Sequence, residues 1–407
     1  MAVLGRSLQR RGYTVSFFGL PAIESSVRAQ GLDFVPLGTA GSDSLSNRIR
    51  MMGQLEGLRS LRFAVESSRQ IADLLCRELP DALARTNVDL MLVDQNEPAA
   101  GTVAQHVRLP FINVCPSLPL NREPDIPPPF VPWQFKTSAL SRLRNKIGYA
   151  ASDFLIAAIH ETINRYRKNW HLPELRQPDD SFSDLAQLCQ MTADFDFPRR
   201  QLPATFYYLG PFVDANPLSA SFPFDRLDGR PLVFASLGTL QDKDSGLFAT
   251  IAKACAGLDV QLVIALGGTN RSTNVQFPGN PIVVGFVPQL EILTRASLAI
   301  THAGLNTVMQ ALMFGVPILA LPITHDQPAI AARVARSGAG EAIAASNVDA
   351  EFLRSAIRRV LSQTSYRERA QHISCSIRSA GGVERGADIV ESVMAKHCAP
   401  CHAFRNY

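Results

Sequence analysis

The feature that most constrains this chain is an alternation that begins at Leu232. Short apolar runs at Leu232–Ser236, Val260–Leu266, Ile282–Val284, Leu298–Ile300 and Ile318–Leu321 are interleaved with helical patterns over Leu247–Ala256, Leu305–Phe314 and Ala329–Ser337. Strands that are apolar throughout are buried on both faces, and strands separated by helices run parallel. The second half is therefore predicted to be a doubly wound parallel sheet. Ligands of such sheets bind outside the carboxyl ends of the strands.

The first half shows a related but less regular pattern. It opens inside a helix, with Val3, Leu4 and Leu8 on one face and Arg6, Arg10 and Arg11 on the other, and a strand follows at Thr14–Phe18. A helix feeding a strand is an unusual start for an α/β unit. A long helical stretch through Leu58, Leu61, Val65, Ala72, Leu75 and Leu79 leads to an apolar strand at Val88–Val93, and a further strand is expected at Phe111–Val114. Pro116–Trp133 carries too many prolines for regular structure and reads as a long fixed loop of the kind that shapes a pocket. Helix returns over Ser138–Arg167 and a strand at Phe206–Leu209, before a polar, aperiodic stretch at Asp214–Gly229. Helical patterns around Ala350–Ser362 and Val383–His397 close the chain.

Composition removes several classes of function. A net charge of +4 on 407 residues, with no Lys/Arg block, lacks the electrostatic footprint of a nucleic-acid binder. Seven scattered cysteines point to reduced thiols and a cytoplasmic location. No apolar run approaches the ~18 residues that would cross a bilayer, which leaves peripheral contact as the only membrane association expected. Cys398-Ala399-Pro400-Cys401-His402 matches a haem-attachment pattern, but nothing follows it that could wrap a haem, so a plain tail is expected.

Three strand-end segments of the second half share a chemical character. Ser236-Leu237-Gly238-Thr239 sets two hydroxyls and freed N–H groups after a strand, either a phosphate cradle or an ordinary turn. Gly285-Phe286-Val287-Pro288-Gln289 offers an aromatic face and an amide to a nucleobase, although alone a core Phe and a surface Gln is the simpler reading. Thr301-His302-Ala303-Gly304-Leu305-Asn306-Thr307 joins a strand to a helix whose N-terminus suits an anion, with His302 as an added donor. After the next strand, Asp326 and Gln327 place a carboxylate and an amide where paired sugar hydroxyls could bind.

The order of these segments, from SLGT through GFVPQ and THAGLNT to LPITHDQP, resembles the nucleotide-sugar domain of the GT-B glycosyltransferases that use UDP-sugars. Within them it is most similar to the bacterial carotenoid glucosyltransferase branch, which the first-half run from Val93 to Trp133 also resembles. The resemblance implies two Rossmann-like, doubly wound α/β domains facing a cleft. It implies an acceptor-binding domain over 1–213 without its first strand, a linker over 214–229, and a nucleotide-sugar domain over 230–380. A helix over 381–397 would then be placed to pack back on the first domain, ahead of a tail over 398–407.

Carried onto this sequence, the resemblance places Phe286 on the uracil and Val287 and Gln289 on base and ribose. Ser236, His302, Gly304, Asn306 and Thr307 would hold the diphosphate, Asp326 and Gln327 the sugar, and Thr239 would be a further donor-binding residue. Gln310 stands where many relatives carry a ribose-binding glutamate, and an amide accepts from a diol less strongly than a carboxylate. The implied reaction is inverting transfer of a hexose, glucose above all, from a UDP-sugar to a hydroxyl of a lipophilic small molecule, with a carotenoid among the candidates. The UDP-sugar is a co-substrate, and neither cofactor nor metal is expected.

One part of the family pattern is unmatched. The family's base is a histidine in a Gly-His-x-x-Pro-like turn after the first strand, oriented by an aspartate that Asp94 matches. The histidine's place would precede Met1, and His106, His160 and His171 do not follow a first strand. The alternative expectation is thus a homologue that binds nucleotide-sugar or an apolar ligand without efficient turnover. An epimerase on the same fold would need acid/base carboxylates around the sugar, and Asp326 is the only one in the donor motifs.

Overall fold

In a computed structural model, the chain is described over residues 1–38, 57–214, 222–238, 245–267, 276–345 and 348–397. The second half forms one six-stranded parallel sheet from β7 (Leu232–Ser236), β8 (Gln261–Ala265), β9 (Ile282–Val284), β10 (Ala296–Thr301), β11 (Ile318–Ala320) and β12 (Gly340–Ala342). Its spatial order is β12-β11-β10-β7-β8-β9. Numbered within the half, this is the 3-2-1-4-5-6 order of dinucleotide-binding sheets read from the other edge, and its direction reverses between β7 and β10. Ser236 and Thr301 are register partners at the carboxyl ends of those two strands.

Burial explains why these strands are so apolar. Val233, Phe234, Ala235, Val263, Ile264, Leu298, Ala299, Ile300, Ile318 and Leu319 are all fully buried. Alternate residues divide between two cores: Phe234, Val263 and Ala299 face one side, and Val233, Ile264 and Ile300 the other.

The strands of the first half lie in two parallel sheets. β1 (Ser16–Gly19) pairs with β2 (Asp33–Pro36), while β3 (Met91–Asp94), β4 (Phe111–Cys115), β5 (Gln187–Cys189) and β6 (Phe206–Tyr208) form a sheet in that order. β3 begins later than the apolar run suggests, because Asn87 adopts a left-handed turn (φ 48°) after the helix Gly57–Thr86, and Asp94 is its last residue rather than the one following it. That helix packs on the long helix Ala139–Asn169 through Leu79, Leu83 and Ile163. The proline-rich segment from Pro116 to Trp133 contains no helix or strand.

The last helix, Gly382–His397, packs on the first, Ala2–Arg10, and places Val383, Ala387 and Val390 against Leu4 and Leu8. Arg11 pairs with Glu384, Asp388 and Glu391 at 2.8, 2.6 and 2.8 Å along the same seam. A third contact joins the halves more deeply. One continuous core runs from Cys115, Leu118, Met191 and Phe195 of the first half to Ile330 and Val334 of the second. Among the described residues no helix is long and apolar enough to cross a membrane, and the five cysteines there are all free thiols.

Candidate functional site at the sheet switch point

Of the sequence-predicted donor residues, Ser236 ends β7 and His302, Gly304, Asn306 and Thr307 follow β10, beside the crevice between those two strands. His302 follows β10 directly, and its imidazole is wedged between two glycines. A Cβ at Gly304 would lie 2.6 Å from His302 Nε2, and one at Gly238 would lie 2.9 Å from His302 Cε1. Both glycines are therefore required by the ring they enclose, and Gly238 also holds φ +86°. Thr301 Oγ1 lies 3.4 Å from His302 Nδ1 on the other side. Burial lowers the basicity of His302, and the Ser236 backbone offsets part of this. The surroundings of the ring thus favour its neutral form.

The helix Leu305–Met313 starts immediately after this ring. Its N-cap is Gly304, and no side chain caps it. Asn306 and Thr307, which could have capped the turn, leave its first N–H groups to other partners; Asn306 is exposed and Thr307 half-buried. Ala303 sits at φ +66°, a left-handed conformation that costs a β-carbon-bearing residue about 1 kcal/mol or more and is concentrated at functional turns. His325, just ahead of Asp326, shows the same strain at φ +56°.

The remaining donor positions line the neighbouring strand ends. Phe286 follows β9 with its ring 44% exposed, unusual for a phenylalanine and suited to stacking. Val287 packs on the core below it. Gln289 Nε2 donates to Gln310 Oε1 at 2.6 Å, so the amide standing in the glutamate position orients the one nearer the β9 end. Gln327 is buried, and its Oε1 accepts from the N–H groups of Ile323 and Thr324, both at 2.9 Å. It holds the strand-end loop in shape through these two bonds. The Asp326 carboxyl is pushed up by burial. Thr239 lies outside the described residues.

In the first half, Asp94 ends β3. Its Oδ1 accepts from the backbone N and the Nδ2 of Asn96, both at 2.9 Å. Burial raises its carboxyl in spite of those bonds. The Met1 amine is enclosed there as well, its charge disfavoured by burial and favoured by Asp94. His106 is taken up in packing, stacked on Trp170 at 4.0 Å between centroids.

Two groups escaped sequence reasoning. Glu97 is enclosed beside Asp94, and burial followed by that neighbouring charge pushes its carboxyl up to about 8. Asp196 and Arg333 form a fully buried pair joining the halves. Nothing local in the sequence marks either. A cavity of about 320 Å³ lined by Arg226, Asp228, Gln261 and Asn280 lies at the amino ends of β8 and β9, on the edge opposite the predicted residues. Among the described residues no three His, Cys, Asp or Glu side chains gather as a metal site.

This arrangement is shared with known proteins. A family model described as "UDP-glucoronosyl and UDP-glucosyl transferase" matches residues 45–400. The zeaxanthin glucosyltransferase of Pantoea ananas is 35% identical over 397 residues, covering 96% of this chain and 92% of that protein. The zeaxanthin glucosyltransferase of Pseudescherichia vulneris is 34% identical over 403 residues, covering 96% and 94%. Among solved structures, the calicheamicin glycosyltransferase CalG4 aligns at a TM-score of 0.75 and 19% identity, covering 98% of this chain and 95% of that one. The chain therefore belongs to the UDP-glucoronosyl and UDP-glucosyl transferase family and is a UDP-sugar type of glycosyltransferase with the GT-B fold.

Proposed function

We propose that the chain transfers a hexose, glucose by preference, from a UDP-sugar to a hydroxyl of a lipophilic acceptor of the carotenoid type. The observation that carries the donor half of this reading is the His302 imidazole, wedged between Gly238 and Gly304 at an uncapped helix N-terminus. A diphosphate placed there meets the free N–H groups of the helix end and a neutral imidazole able to donate a hydrogen bond. Phe286 takes the uracil on its exposed face, Val287 and Gln289 meet base and ribose, and Gln310 holds Gln289 in place. Ser236, Gly304, Asn306 and Thr307 surround the phosphates, and Asp326 with the Nε2 of Gln327 takes sugar hydroxyls.

In the proposed reaction the acceptor oxygen attacks the anomeric carbon from the face opposite the diphosphate, and the configuration inverts. Negative charge develops on the leaving diphosphate as the glycosidic bond breaks. The helix N-terminus and His302 are positioned to stabilise that charge without rearrangement, the usual source of the largest electrostatic gain. As the new glycosidic bond forms, the acceptor hydroxyl's proton passes to the Asp94 carboxylate, directly or through one water, while UDP departs with the electrons of the broken bond.

The acceptor class is supported by the names of the carotenoid-glucosylating relatives and by the long irregular loop from Pro116 to Trp133. The test is a transfer assay with UDP-glucose and a panel of xanthophylls, sterols, flavonoids and macrolides. Glucosylated xanthophyll is the expected product. Reaction with small polar alcohols alone would overturn the acceptor assignment.

A further inference from the structure

We propose that the outward face of the helix Ala139–Asn169 docks the protein on a bilayer surface containing anionic lipid. Leu140, Leu143, Ile147 and Phe154 on this helix are 77%, 54%, 61% and 83% exposed. Their spacing puts them in one stripe that runs about 21 Å along the helix. Phe130, in the adjacent proline-rich loop, is exposed too. Single exposed apolar residues are ordinary, whereas an aligned set of large ones marks an interaction surface.

The charges around the stripe select the partner. Residues 136–154 contain Lys136, Arg142, Arg144 and Lys146 against a single carboxylate, Asp153, which pairs with Arg122. Arg142 pairs with Asp125 at 2.6 Å, and Arg144 lies over the Trp133 ring at 4.7 Å. Lys136 and Lys146 are exposed beside the stripe, and no ion pair is formed by either among the described residues. An apolar face bordered by cations is the pattern of helices that lie in the headgroup region of anionic membranes. Two copies of this chain meeting through the stripe would bring Lys136 and Lys146 of each against those of the other, with the neighbouring Asp125 and Asp153 already paired to Arg142 and Arg122, which disfavours a dimer.

The inner face of the same helix carries the loop proposed to shape the acceptor pocket. Asn145 is fully buried and donates to the Pro124 carbonyl at 3.0 Å. Gly148 lies under Trp133, since a Cβ there would approach that ring to 2.8 Å. A bilayer touching the outer face would therefore lie one helix diameter from the loop, a short path for a sparingly soluble acceptor.

Vesicle flotation without donor or acceptor tests the surface independently of the transfer reaction. The full chain should float with equimolar phosphatidylglycerol and phosphatidylcholine vesicles, release as salt rises, and bind pure phosphatidylcholine at least about tenfold more weakly. Ile147→Ser with Phe154→Ser should cut the partition constant by about tenfold or more, and Lys136→Glu with Lys146→Glu should abolish the lipid-charge preference. Both pairs are exposed, and unchanged melting curves confirm folding. No flotation, or equal flotation of the variants, would overturn the proposal. So would a wild-type dimer dissolved by the serine pair, or loss of acceptor turnover in that pair with unchanged flotation.

Discussion

Arg333 Nε lies 2.8 Å from Asp196 Oδ1, both side chains fully buried, and the pair spans a separation of 137 residues in sequence. Asp196 also accepts from Arg199 Nε at 2.9 Å, Tyr208 Oη at 2.7 Å and the Phe197 backbone N at 2.7 Å. Arg199 in turn donates to the carbonyls of Asn121 and Pro119 at 2.6 and 3.2 Å. Arg333 belongs to the helix Gln327–Ser337, whose first turn carries the proposed sugar-binding amide. One buried relay thus connects the donor-side helix to the proline-rich loop.

Breaking that relay at its centre should be costly. Burial pushes the Asp196 carboxyl up, but Arg333 and Arg199 more than offset this and hold it down at about 2. Asp196→Asn would leave two buried guanidinium groups facing a neutral amide, and a loss of about 3–5 kcal/mol in urea unfolding is expected. Arg333→Met should cost less, because Arg199 still neutralises the carboxylate. The lowered value means the folded state binds this proton more weakly than the unfolded chain. Its stabilisation is complete above the ordinary carboxylate range and is lost as pH falls through about 2. Equal unfolding midpoints for wild type and Asp196→Asn at neutral pH would refute the relay.

The wedge at the switch point yields a paired prediction. His302→Ala should weaken UDP binding by roughly 1.5–3 kcal/mol in calorimetry, the worth of a hydrogen bond to a charged group. The binding should survive EDTA in both proteins. Gly304→Ala should weaken it as well, by displacing the ring that a Cβ would approach to 2.6 Å. In the His302→Ala background that glycine substitution should become nearly neutral, because the clashing imidazole is gone. Additive losses would show that the ring and Gly304 act separately.

Glu97 should make stability depend on pH in the opposite sense to Asp196. Its folded value is raised from 4.5 to about 8, so the folded state holds the proton more tightly than the unfolded chain. The contribution is present in full below about 4.5 and is lost as pH rises through about 8. Thermal melts should therefore show wild type losing stability between mildly acidic and mildly basic pH, while Glu97→Gln changes less and melts several degrees higher at the basic end. Parallel curves for the two proteins would remove Glu97 from the account.

Asp94 ends β3 with its Oδ1 accepting from the backbone and side chain of Asn96, which fixes the carboxylate at the strand end. General-base catalysis contributes typically 10²–10⁴-fold, so Asp94→Asn should lower kcat by about that factor with little change in KM for the UDP-sugar. Equal kcat in wild type and Asp94→Asn would show that another group takes the proton.

The sequence by itself determined the second-half sheet and which segments stand at its strand ends. Strands such as Leu232–Ser236 and Ala296–Thr301 are buried on both faces, so burial writes itself into consecutive residues and needs no partner to be read. The glycines and the histidine of the switch point also announced themselves, because strand-to-helix turns have local backbone demands. The three-residue strands Gln187–Cys189 and Gly340–Ala342 were not legible, because neither carries the β-branched residues that marked the equally short Ile282–Val284. Tertiary structure alone decided how those residues are used. It pairs Gln289 with Gln310, ties Gln327 to its own loop, and raises Glu97 by enclosing it. It also brings Asp196 under Arg333 from the other half of the chain. Each of these depends on distance and burial between segments far apart in sequence, for which composition and periodicity carry no signal.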